Sequence, residues 1–260
     1  MNVQKQILVK LSLLILISAT TFSCDNQSKK EQSDDEGFVP VFDGKTLDGW
    51  QGDSTYWRVE DGSLVGEITP STILKRNTFV IWQEGSPENF ELKLEYRISE
   101  RGNSGINYRS EEVEGVPFAL RGYQFDLDGT NRYTGQNYEE RGRTTLAYRG
   151  QIVVLNELED SLLNQPLSAF IENNVWTKSE VTGSLGSTDE LNVNIKSGDW
   201  NMCHLVVNGN RMKHYVNGVL MSDVTDHDSK NRKLNGLIGV QVHVGPPMKV
   251  EFRNIRLKIL

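Results

Sequence analysis

Phe90-Glu91-Leu92-Lys93-Leu94-Glu95-Tyr96-Arg97-Ile98 alternates apolar and polar side chains without a break. A helix would spread this pattern around its whole surface, whereas a strand points successive side chains to opposite faces, so the segment predicts a strand with one face in a core. Three shorter stretches repeat the alternation: Ile106 to Arg109, Tyr123 to Asp128 and Val240 to Val244. Their polar halves carry amides, carboxylates, Arg and His in place of the usual Lys, Ser and Thr. Tyr123, Phe125 and Leu127 are expected to face a core while Gln124, Asp126 and Asp128 face away from it. Likewise Val240, Val242 and Val244 oppose Gln241 and His243. If the four strands lie in one sheet, its outer face is a polar, titratable surface suited to sugar binding or acid/base chemistry.

Asn208-Gly209 and Asn217-Gly218 punctuate alternating segments, and Asn-Gly favours tight hairpins because both residues accept positive φ. Residues 201 to 224 are therefore expected to form a three-stranded meander. Between Lys249 and Leu260 the alternation slips by one around Arg253-Asn254, which predicts a bulge, and Pro246-Pro247 before it predicts a loop. Short helices are expected only around Glu157 to Leu163 and Thr188 to Asn192. Residues 156 to 198 alternate poorly and read as an excursion over one rim, with a strand around Val175 to Val181. Short strands with Gly and Asn turns predict an all-β fold, a two-sheet antiparallel sandwich, with residues 37 to 260 as one domain.

The 260 residues carry a net charge of -7, with no basic footprint for nucleic acid. Lys5 and Lys10 precede an apolar run from Leu11 to Ile17, too short to span a bilayer, which reads as an export signal. Thr21-Phe22-Ser23-Cys24 looks like a bacterial lipoprotein processing site, with Phe22 where a small residue is usual. On that reading residues 1 to 24 are signal and lipidated Cys24, and the protein is an exported lipoprotein, periplasmic or on the cell surface, touching the membrane only through its lipid. Ordinary signal cleavage is the alternative. Residues 25 to 36 lack an apolar anchor and read as a flexible tether. Cys203, alternating with Leu205 and Val207, is expected to be a buried structural thiol.

Several segments together are similar to the 3-keto-disaccharide hydrolase domain family of exported bacterial proteins. They begin with Phe42-Asp43-Gly44-Lys45-Thr46-Leu47-Asp48-Gly49-Trp50 and Trp57-Arg58-Val59-Glu60-Asp61-Gly62. Gly102-Asn103-Ser104-Gly105-Ile106 follows with Tyr108-Arg109, then Gly122-Tyr123-Gln124 with Asp126, and Tyr138-Glu139-Glu140 with Gly142-Arg143. Gly198-Asp199-Trp200-Asn201, Asn217-Gly218, Gly239 to His243 and Phe252-Arg253-Asn254-Ile255 complete a series in order over nearly all of residues 37 to 260. The resemblance implies a concanavalin A-like jelly roll and binding or cleavage of oxidised sugars.

A 3-keto group acidifies the sugar's C2 proton, so a base can form an enolate that expels the C1 substituent, and water can then add across the double bond. That route needs a base, an acid for the leaving group and a donor or cation at the ketone oxygen. The candidate acids and bases are Asp126, Glu140 and His243, with Arg109 and Arg143 as enolate stabilisers and Gln124, Tyr138 and Gln241 as further substrate contacts. Asp126 could instead be a solvated strand residue, and Tyr138 to Arg143 a self-paired charged loop; the family match tips Tyr138, Glu140 and Arg143 toward the site. Asp128 reads as turn chemistry, Asn103 as shaping a turn, His214 as lacking polar companions, and Trp50, Trp57 and Trp200 as buried anchors. There is no metal-ligand signature, although Asp126 or a turn carbonyl could hold a divalent cation such as calcium.

Two principal readings follow: an exported enzyme that cleaves 3-keto-glycosides by C2 proton abstraction and elimination, and a non-catalytic carbohydrate-binding module. A purely structural surface lipoprotein is a third. An enzyme should wall in at least one carboxylate or His with a perturbed pKa, whereas a binding module should present a shallow groove.

Overall fold

The computed structural model describes residues 35–260. The expected export signal, the expected lipidation site Cys24 and all but the last two residues of the expected tether lie outside them. In chain order the strands are β1 (Val39–Pro40), β2 (Trp50–Gln51), β3 (Trp57–Glu60), β4 (Ser63–Ile68), β5 (Thr78–Trp82), β6 (Phe90–Ile98), β7 (Asn103–Glu112), β8 (Leu120–Asp128), β9 (Asn137–Glu140) and β10 (Thr144–Ala147). They continue as β11 (Gln151–Leu155), β12 (Ile171–Glu172), β13 (Val175–Trp176), β14 (Ser179–Ser184), β15 (Asn201–Asn208), β16 (Arg211–Val216), β17 (Val219–Asp226), β18 (Leu237–Val242) and β19 (Met248–Ile259).

These strands make two sheets. The first runs β14-β11-β17-β16-β15-β6-β19-β4-β3, with β1 on β19; the second runs β12-β13-β10-β9-β8-β7-β18-β5-β2. The pairings are antiparallel except β11 with β17 and β10 with β13. Among the described residues, helix is confined to short pieces, Asp160–Leu162, Leu167–Phe170 and α1 (Thr188–Asn192), the last opened by a Ser187 and Glu190 capping box.

The first sheet explains the alternation of Phe90 to Ile98. Phe90, Leu92, Leu94, Tyr96 and Ile98 are buried between the sheets, each stabilising the sandwich by about 1.5–3 kcal/mol. The outward side chains pair with neighbouring strands: Arg97 with Glu251, Arg253 with Glu95 and His204 with Glu91. Phe90 to Ile98 therefore does not share a sheet with the other three polar-faced stretches, and its outer face is saturated with charge pairs. Trp200, expected in the core, lies half-buried on that face, with the Arg253 and Arg97 guanidinium carbons 3.9 and 4.8 Å from its ring centroid. Trp50 and Trp57 are buried.

The meander of β15, β16 and β17 forms as its turn residues predict, although the first two-residue loop is Gly209-Asn210, one position later than Asn208-Gly209. The register of β19 against β6 shifts between Arg253 and Arg256, with Asn254 at φ 53°, so the bulge sits where the alternation slips. Cys203 is buried, which pushes its thiol pKa well above the usual range.

Polar groups also enter the space between the sheets. His214, far from lacking companions, is fully buried and stacked on Phe125 with ring centroids 4.3 Å apart. Its Nδ1 donates to the Gln136 carbonyl at 3.2 Å, and its Nε2 lies 3.0 Å from the Tyr108 hydroxyl; burial lowers its pKa to about 3. Nearby, Arg143 donates to Glu139 at 2.8 Å and to Asp226 at 2.7 Å, and lies 3.4 Å from Asp228.

Removing the guanidinium that pairs with these buried carboxylates should cost far more than the lost packing. Arg143→Leu is expected to lower unfolding free energy by about 3–5 kcal/mol, since it strands buried negative charge. Chemical denaturation at neutral pH checks this, and a loss below about 1 kcal/mol would contradict it.

Candidate active site

The outer face of the second sheet carries the hollow that the alternation anticipates. Gln124 and Asp126 on β8 point away from the core, opposite Asn107 and Gly105 of β7 and, for Gln124, beside Tyr138 of β9. Tyr138 and Glu140 share one parity and reach the hollow. Glu139 has the opposite parity and points between the sheets. A pocket of about 210 Å³ is lined by Asn103, Gln124, Asp126, Tyr133, Gln136, Tyr138, Glu140, Asn174 and His243. Among the residues expected in the site, Asp126, Glu140, His243, Gln124 and Tyr138 thus come together.

Asp126 is only 8% exposed, and its two oxygens accept from the side-chain amides of Gln124 and Gln136, both at 2.6 Å. Burial pushes its pKa up to about 7; the two amide donors oppose that rise, and the neighbouring charges of Glu140 and Asp128 add to it. Gln241 does not line the pocket. Its Nε2 donates to Gln124 Oε1 at 3.0 Å, so it orients the amide that holds Asp126. Gly105 makes room for this arrangement, because a Cβ there would lie 2.5 Å from the Gln124 side-chain carbonyl carbon. Gln136 is held from behind, through the bond between its backbone carbonyl and buried His214.

The other walls come from loops and strand ends. Asp128, read as turn chemistry, accepts from the backbone amides of Arg132, Tyr133 and Thr134 and so fixes the loop that presents Tyr133. Asn174 arrives from the Asn173-Asn174 turn between β12 and β13, with both residues at positive φ. Tyr138 has its pKa raised to about 12 by burial, with Glu140 and Asp126 adding, so its hydroxyl stays protonated near neutrality.

β18 ends at Val242, so His243 is positioned by the following turn, and Val244 is exposed instead of facing the core. His243 Nδ1 donates to the Val244 carbonyl at 2.7 Å, which in the neutral ring leaves Nε2 as the acceptor. Asn77 ties these walls together: its Nδ2 donates to Glu140 Oε1 at 3.1 Å and its Oδ1 accepts from the Val244 amide at 2.9 Å.

Neither arginine expected to stabilise an enolate lines the pocket. Arg109 sits in a β7 bulge at φ 46°, which breaks the alternation, and its buried guanidinium donates to the backbone carbonyls of Glu88 and Lys233. Arg143 follows Glu139 into the carboxylate cluster between the sheets. Asn103, Tyr133, Gln136 and Asn174, together with Asn77, were missed. Gln136 shares the parity of Tyr138 and Glu140, and Asn103 that of Gly105, so alternation could have found both; nothing local marks Tyr133, Asn174 or Asn77. Among the described residues, no group of three His, Cys, Asp or Glu side chains is arranged to hold a metal ion.

The family model for the 3-keto-alpha-glucoside-1,2-lyase-like domain matches residues 37–258. A curated relative, the 3-keto-disaccharide hydrolase of Bacteroides thetaiotaomicron, is 33% identical over 94 residues, an alignment covering 31% of this chain and 30% of the relative. Among solved structures, a candidate glycosyl hydrolase from Parabacteroides distasonis superposes with a TM-score of 0.52 at 20% identity, covering 88% of this chain and 97% of that one. A Bacillus subtilis protein with a galectin-like fold gives 0.50 at 12% identity, covering 85% and 94%. Those two likenesses concern the fold alone and agree with a jelly-roll sandwich. With its model matched over nearly the whole described sandwich, the chain belongs to the 3-keto-alpha-glucoside-1,2-lyase-like domain family.

Proposed function

We propose that this protein cleaves 3-keto-glycosides by proton abstraction at C2 and elimination of the C1 substituent, followed by hydration. The observation that carries the reading is Asp126, buried on the pocket wall with a pKa raised to about 7, beside Glu140 and His243. A base matched to neutral pH, set among neutral hydrogen-bond donors, suits removal of a proton next to a ketone. A shallow binding groove needs no such carboxylate.

In this mechanism the Asp126 carboxylate takes the C2 proton, and the electron pair moves through C2 and C3 onto the ketone oxygen. The enolate then re-forms the ketone, making the C1–C2 double bond as the C1–O bond breaks. The proton that Asp126 has taken passes by way of Glu140 to the departing oxygen. Water adding at C1, with a proton returned to C2, completes net hydrolysis. With Arg109 and Arg143 elsewhere, developing negative charge would meet the Tyr138 hydroxyl and the amides of Asn103 and Asn174, with the His243 ring beside them. The reading also keeps the protein exported and held to a membrane by lipid on Cys24.

Purified residues 37–260 should release aglycone from a 3-keto-glycoside and not from its unoxidised form. Asp126→Asn and His243→Ala should each cut kcat/KM by at least about 100-fold with the fold intact by circular dichroism. Binding of both sugars without turnover of either would favour the carbohydrate-binding module instead.

The pH profile tests the base directly. Since Asp126 must be ionised to act, kcat/KM should rise with pH through about 7. Gln136→Leu removes a donor to the ionised carboxylate, so that limb should move to higher pH by roughly one to two units. An unmoved limb would show that another group is the base.

A further inference from the structure

We infer that a second hollow, on the far side of Asn77, receives the group expelled from C1 and is built for an aromatic leaving group bearing a carboxylate. The inference rests on the proposed elimination chemistry and adds to it the identity of the other half of the substrate. The Asp126 pocket, at about 210 Å³, is smaller than the roughly 300 Å³ at which pockets for drug-sized ligands begin, so it suits one sugar ring and leaves a larger aglycone outside.

The second hollow, of about 430 Å³, includes Asn77 in its wall. The same Asn77 donates to Glu140, which lines the first pocket, so Glu140 stands at the boundary between the two hollows. That boundary is where an acid must stand to protonate the oxygen joining a sugar ring on one side to its leaving group on the other.

The walls of the second hollow indicate what it would hold. Tyr56, Pro117 and Phe118 offer aromatic and apolar surface, and Ile73 is 72% exposed beside them. Lys75 and Arg76 are exposed on the same wall, and among the described residues neither has an ion-pair partner. Their situation differs from that of Arg97, Arg143, Arg211 and Arg253, each paired with a carboxylate. Asp53 also lines the hollow, with one oxygen occupied by the Thr55 amide at 2.9 Å, so the wall keeps a net positive charge in a chain of net charge -7. Aromatic surface beside two unpaired cations matches an aryl group carrying a carboxylate; a second neutral sugar would leave both charges unused.

The test compares 3-keto-glucosides of 4-hydroxybenzoate and of 4-hydroxybenzamide, which have similar shape and differ in charge. Wild type is set against a Lys75→Ser, Arg76→Ser double variant, whose changes fall on exposed, unpaired side chains. The double variant should raise KM for the carboxylate substrate roughly three- to tenfold, the scale of two exposed charge contacts, and leave kcat and KM for the amide unchanged. Taking variant-to-wild-type ratios for each substrate cancels the intrinsic difference between the two leaving groups. Equal effects on both substrates, or none on either, would overturn the second hollow while leaving the elimination reading intact. Failure of wild type to cleave either keto substrate would overturn both.

Discussion

A carboxylate taken out of water and held only by uncharged amides is the constraint around which this site is organised. Burial alone would drive Asp126 to its neutral form, while a full ion pair would fix it as a poor base. Two amide donors leave it between these extremes, with a pKa of about 7. The balance has structural costs. Gln124 can lie flat only because Gly105 lacks a Cβ, and Gln241 must hold its far end. Gln136 depends on a histidine buried between the sheets. The hydrogen-bond chain thus crosses from the pocket to the sandwich interior through the Gln136 backbone.

The same residue types serve opposite ends a short distance away. Glu139 and Glu140 are neighbours in sequence, yet strand parity sends the first inward to Arg143 and the second outward to the hollow. Around Arg143, negative charge is compensated by a guanidinium making several hydrogen bonds, and the outcome is cohesion between sheets. Around Asp126 the hydrogen-bonding partners carry no charge, and the outcome is a group able to exchange a proton near neutral pH. The outer face of the first sheet offers a third case, where solvent-exposed ion pairs and a tryptophan between two arginines leave little chemistry free. Placement relative to the pleat, more than residue type, separates these roles.

Much of the fold and part of the site could be read locally. The alternation of Phe90 to Ile98, the Asn217-Gly218 turn and the slip at Arg253-Asn254 are properties of adjacent residues, and each has its structural counterpart. Asp126, Gln124, Tyr138 and Glu140 were legible for the same reason, since parity within a strand selects a face. Arg109 was misplaced because a left-handed residue in a bulge breaks parity, and Arg143 because it follows a turn that feeds it into the core. His243 reached the site although its strand ends one residue earlier.

By itself, then, the sequence determined the strand character, the two-faced pattern and the segments that identify the family, because those depend on the two-residue period of extended chain and on turn chemistry. Which strands share a sheet was decided only in three dimensions. So were the loops that bring Tyr133, Asn174 and Asn77 to the rim, and the exposed cations beside Phe118. These outcomes are set by contacts between residues far apart in the chain, and no local period encodes a hydrogen bond such as the one from Asn77 to Glu140.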